Sequence, residues 1–74
     1  MNTATTGFDE IRMNPGAIKK HVPTWRGRAT AHYAIGSGVL TISVPAVRER
    51  WLISTRPITA MKIARSFSAL LHLA

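Results

Sequence analysis

The chain has 74 residues, no cysteine and a formal net charge of +7. That length supports one small domain, and a hydrophobic share of 46% is too high for a chain disordered by composition. The lack of cysteine excludes a disulfide framework and a thiolate zinc site, and it fits a reducing cytoplasm.

Residues 1–7, Met-Asn-Thr-Ala-Thr-Thr-Gly, read as a flexible leader, with a single α+β domain over residues 8–74. The first fifteen residues are polar and carry two acids, so they do not read as a secretory signal. Phe8 to Met13 is a short mixed segment that suits a strand or one turn. Asn14-Pro15-Gly16 is a turn signal, because proline fixes φ and glycine allows a positive φ. Ala17 to Val22 suits a short helical turn, closed by Pro23.

From Arg28 to Ile35, and again from Val39 to Val44, strand formers dominate. Leu40, Ile42 and Val44 alternate with Thr41 and Ser43, which gives one buried and one polar face. Gly36-Ser37-Gly38 between the two runs predicts a β-hairpin. Pro45-Ala46 breaks the pattern, and Glu49 to Ser54 predicts a third strand with Trp51 in the core.

Thr55-Arg56-Pro57 reads as a helix start, with Thr55 as cap and proline at the first helical position. Beyond it Ala60, Ile63, Ala64, Phe67, Leu70, Leu71 and Ala74 recur at helical spacing. The expected fold is therefore a small α+β domain: a hairpin extended to a three-stranded antiparallel sheet, packed by one C-terminal amphipathic helix.

No catalytic constellation is visible. Asp9 and Glu10 are adjacent, and Glu49 stands alone, so paired carboxylate chemistry has no obvious site. His21, His32 and His72 are far apart in sequence and lack the close spacing of a metal pair. No enzyme, metal, cofactor or small-molecule substrate is expected. No apolar run approaches the roughly 20 residues that span a bilayer.

The cations carry more information. Ten Lys and Arg face three acids, and seven of the ten are Arg, whose planar fork suits phosphate oxygens. One group is Lys19, Lys20, His21, Arg26 and Arg28, with Trp25 inside it. A second is Arg48, Arg50 and Arg56 around Trp51, and a third is Lys62 and Arg65 on the helix. Arginines hold phosphates, and an exposed indole such as Trp25 can stack on a base. Arg48 and Arg50 are expected on one strand face, continuous with the helix cations.

Arg26-Gly27-Arg28 resembles the centre of an AT-hook, although Trp25 and Ala29 stand where a hook has proline. Beside the hairpin, the same residues serve as a bend into the first strand. In size, charge and texture the whole chain is similar to the accessory regulators of temperate phages and plasmids, in particular the Lxc-type corepressors. That resemblance implies a small DNA-associated regulator that contacts the phosphate backbone and a repressor-type protein, and so strengthens DNA binding. The alternatives are a mobile-element inhibitor of a host defence complex and a membrane-surface or toxic peptide.

Overall fold

The structure, a computed structural model, describes residues 8–21, 27–66 and 69–73. Residues 1–7, Trp25, Arg26, Phe67 and Ala74 lie outside the described residues. The fold is built outward from one strand, β3 (Val39–Val44). Its Leu40, Ile42 and Val44 are each 0% exposed, while Val39, Thr41 and Ser43 are half-buried on the other face. Period-2 alternation has thus fixed which face is core.

Both edges of β3 are paired. Strand β2 (Thr30–Ala34) joins it as the antiparallel hairpin, setting Ala31 and Tyr33 opposite Ile42 and Leu40. On the other side β4 (Glu49–Ser54) is also antiparallel, setting Trp51 and Ile53 opposite Ile42 and Leu40. The hairpin and third strand therefore form as the sequence predicts, and Trp51 is buried.

The sheet does not stop there. β1 (Asp9–Met13) pairs parallel to β4, bringing Ile11 and Met13 beside Trp51 and Ile53. β5 (Leu70–Leu73) pairs parallel to β2, bringing Leu71 beside Ala31. The order is β1-β4-β3-β2-β5, and β3 alone runs against the other four. This five-stranded mixed sheet replaces the expected three-stranded antiparallel one.

Two short helices cover one face. A 3-10 turn, Pro15–Ala17, leads into α1 (Ile18–His21), and α2 spans Pro57–Ser66. Ile18 of α1 and Ala60 and Ala64 of α2 join the same buried cluster as the inner strand residues. The small Ala60 and Ala64 side chains, one turn apart, let α2 lie close to the sheet. The His21 ring approaches Trp51, with centroids 5.8 Å apart. Each helix is the crossover of a parallel connection, β1–α1–β2 and β4–α2–β5, the usual route between parallel strands.

The expected C-terminal helix is corrected in its second half. Ser66 Oγ donates to the Lys62 carbonyl at 3.0 Å, a back-bond that competes with helix continuation. The Ala69 N–H donates to the Ala64 carbonyl at 2.8 Å, a closure that spans five residues and ends the helix. Beyond it, the open edge of β2 offers the backbone of residues 70–73 a ladder. Leu70 and Leu71 fit either periodicity, and the sheet edge decides between them.

The start of α2 is also tied differently. The Ala60 N–H donates to Arg56 O at 2.9 Å, which makes Arg56 the N-cap residue rather than Thr55. Thr55 serves the hairpin instead: its N–H donates to Gly38 O at 2.9 Å, and its carbonyl accepts from Tyr33 Oη at 2.6 Å. Gly38 closes the hairpin loop with φ +69° and donates its N–H to Ala34 O at 2.8 Å.

This knot generates a test. A Cβ on Gly38 would meet Thr55 O at 3.7 Å, an ordinary contact, so the cost of Gly38→Ala lies in the left-handed backbone. Urea unfolding should show a loss of about 1–2 kcal/mol. Gly36→Ala, in open space without a positive φ, should be neutral or slightly stabilising. Equal effects at the two positions would contradict the turn geometry.

Candidate nucleic-acid interface

All three carboxylates of the chain lie on one pair of strands, Asp9 and Glu10 on β1 and Glu49 on β4. Strands β2, β3 and β5 carry no Asp, Glu, Lys or Arg. The cations are therefore displaced to the helices, the turns and the β1–β4 side. This segregation leaves the two helices as elements that carry cations and no carboxylate.

The helix layer is the most cationic part. Lys19 and Lys20 are exposed on α1, and Lys62 and Arg65 are exposed on α2. Lys19 and Lys62 flank one groove of about 190 Å³ between the helices, floored by Ile18 and Ile63 and edged by Pro15 and Ser66. No carboxylate is present on either helix. Cations also occupy the last turn of each helix, where the macrodipole is negative.

The arginines around Trp51 do not form the expected row. Arg48 precedes the strand in a left-handed turn, with φ 52°. That turn is held by Arg48 N–H to Pro45 O and by Asp9 N–H to Arg48 O, both at 3.1 Å. Arg50 does alternate away from Trp51, but onto the open face of the sheet, opposite the helix layer. There its guanidinium lies 3.6 Å from a Glu10 carboxylate oxygen and 5.2 Å from the centre of the Phe8 ring. Among the described residues this is the one ion pair, so Arg50 is engaged in holding β1 to β4. The expected continuity between this strand and the helix cations is absent, because the sheet separates them.

The remaining expected contacts are distributed. Arg28 is exposed at the entry to β2, next to Gly27, whose φ of +74° is the bend that the Arg-Gly-Arg stretch called for. Arg56 is exposed at the N-terminus of α2. Trp25 and Arg26 lie outside the described residues.

No family model, no curated protein and no solved structure matches the chain.

One cation escaped the sequence reading. Arg12 is exposed on β1 and lines a cleft of about 310 Å³ with Met13, Asn14, Leu52 and Ser54, at the carboxyl ends of β1 and β4. Its signal was the alternation of Glu10 and Arg12 within β1, which becomes visible once that segment is known to be a strand. Among the described residues, no group of three or more His, Asp or Glu side chains is placed to hold a metal ion. No described helix is long and apolar enough to cross a membrane. The ten-residue α2 also replaces the longer amphipathic helix on which a membrane-surface reading would rest.

Sorting Arg50 from the helix cations predicts separable effects. Arg50→Ala should lower unfolding stability by about 0.5–1.5 kcal/mol, through loss of the Phe8 and Glu10 contacts. Lys62→Ala and Arg65→Ala should each stay within about 0.5 kcal/mol, as exposed residues do. Comparable losses at all three positions in chemical denaturation would contradict this division.

Proposed function

We propose that this protein is a small DNA-associated accessory regulator that grips the phosphate backbone with its helix layer and cooperates with a repressor-type protein partner. The observation that carries the proposal is the carboxylate-free, cation-rich surface of α1 and α2, with Lys19, Lys20, Lys62 and Arg65 exposed. Lys and Arg in such a cluster neutralise phosphates and release counterions, which supplies sequence-independent affinity.

Base reading is not part of the proposal. α1 has four residues, and α2 packs Ala60 and Ala64 against the sheet, so neither presents a recognition surface of the helix-turn-helix kind. Specificity is assigned to the partner. The strand β5 edge supports that role: Leu70 and Leu73 are each 55% exposed, and a shallow groove lined by Met61, Ala64, Arg65, Ala69, Leu71 and Leu73 lies between β5 and α2. An edge that no other described strand pairs, flanked by exposed apolar side chains, suits strand addition by another protein. The opposite edge, β1, carries Asp9, Glu10 and Arg12, charges that discourage such pairing.

Duplex binding should weaken steeply with salt. With four phosphates neutralised, the log–log slope should be about −3.6, at about −0.9 for each. The triple variant Lys19→Ala/Lys62→Ala/Arg65→Ala should flatten that slope by roughly 3 while keeping the circular-dichroism spectrum. A salt-independent interaction, or no duplex binding with or without a repressor present, would refute the proposal. Capture of one host enzyme complex with little DNA would favour an inhibitor of a defence system instead.

A further inference from the structure

The sequence separates His32 from His72 by more than half the chain, but the sheet brings them together. In the parallel ladder of β2 and β5 they are direct Cα partners. Both are exposed, and their neighbours Ala31, Tyr33 and Leu71 face the core side. The two imidazoles therefore stand side by side on the open face, on strands roughly 4.8 Å apart.

Their surroundings suit a soft-to-borderline cation better than a hard one. Strands β2, β3 and β5 place no Lys, Arg, Asp or Glu on this part of the sheet. The paired residue on the inner side of His32 is Thr41 of β3, and Thr30 and Leu70 are the next pair along the ladder. Two imidazole nitrogens without carboxylates favour transition ions and give Mg²⁺ or Ca²⁺ little to bind.

We infer that His32 and His72 form a two-imidazole site for a divalent transition ion of the zinc, copper or nickel kind. Two imidazole nitrogens on one tetrahedral ion at about 2.05 Å sit roughly 3.3 Å apart. Side chains on neighbouring strands reach that spacing by leaning toward each other, and both rings have the freedom of exposed residues. The ion exchanges two of its waters for the two imidazoles and keeps solvent in the remaining positions. It thereby cross-links the edge strand β5 to β2. This matters to the fold because β5 is a four-residue strand paired on one side.

The test uses the untagged full chain and Zn²⁺ as probe. Calorimetric titration should show one ion per chain, and saturating Zn²⁺ should raise the thermal midpoint by several degrees, since ligand binding to the folded state stabilises it. His32→Ala and His72→Ala should each weaken binding at least tenfold and abolish the thermal shift. Both positions are exposed, so the variants should fold. His21→Ala, which removes the histidine of the helix layer beside Trp51, should keep both responses, and Mg²⁺ should give neither. Absence of binding to the parent chain at millimolar Zn²⁺, or full retention in the His32→Ala/His72→Ala double variant, would overturn the inference. Neither result bears on the phosphate-binding proposal, which rests on the opposite face.

Discussion

Everything in this fold hangs on the alternation of one strand. Leu40, Ile42 and Val44 point to one side of β3 and are fully buried, and that choice makes the sheet two-faced. With both edges of β3 occupied, β2 and β4 must follow the same parity. Their own outer edges then take β5 and β1. The inner face needs a cover, and α1 and α2 supply it with Ile18, Ala60 and Ala64. A slip of one residue in β3 would turn the whole set inside out.

The same constraint sorts the charges. Inner positions are apolar, and the strands nearest β5 are charge-free, so carboxylates are left on β1 and β4 and most cations on helices and turns. Two chemically different faces result, on opposite sides of one thin sheet. The helices themselves carry Lys19, Lys20, Lys62 and Arg65 and no carboxylate, while Asp9 and Glu49 share the parity of Ile11 and Trp51 at one end of the same side. The open side pairs Arg50 with Glu10 at one edge and His32 with His72 at the other.

The sequence carries the hairpin in short-range signals, but not the parallel pairings, the N-cap and end of α2, or the place of Arg48. The hairpin was legible because Leu40, Ile42 and Val44 alternate and glycines mark the turn. The buried place of Trp51 followed from the same parity. The end of α2 was not legible, because Leu70 and Leu71 satisfy a helical stripe as well as a strand. The deciding partner, the open edge of β2, lies some forty residues upstream. The parallel pairing of β1 with β4 is hidden for the same reason. Of the site residues, Lys62 and Arg65 are exposed on α2, off its apolar stripe as their spacing implies, and Lys19 and Lys20 are exposed on α1. Arg48 left the expected row because a left-handed turn, and not the strand, holds it. The His32–His72 neighbourhood depends wholly on the strand register, which spacing along the chain cannot reveal.

The central functional claim is that the helix side of the sheet, and not its open face, meets the phosphate backbone. Amide chemical-shift mapping of the chain titrated with a short DNA duplex at low salt tests it directly. The predicted result is perturbation concentrated on α1, α2 and the Arg28 entry to β2, with Thr41, Ser43 and His32 unmoved. Perturbation concentrated on the open-face residues of β2, β3 and β4, or none at any duplex concentration, would contradict it.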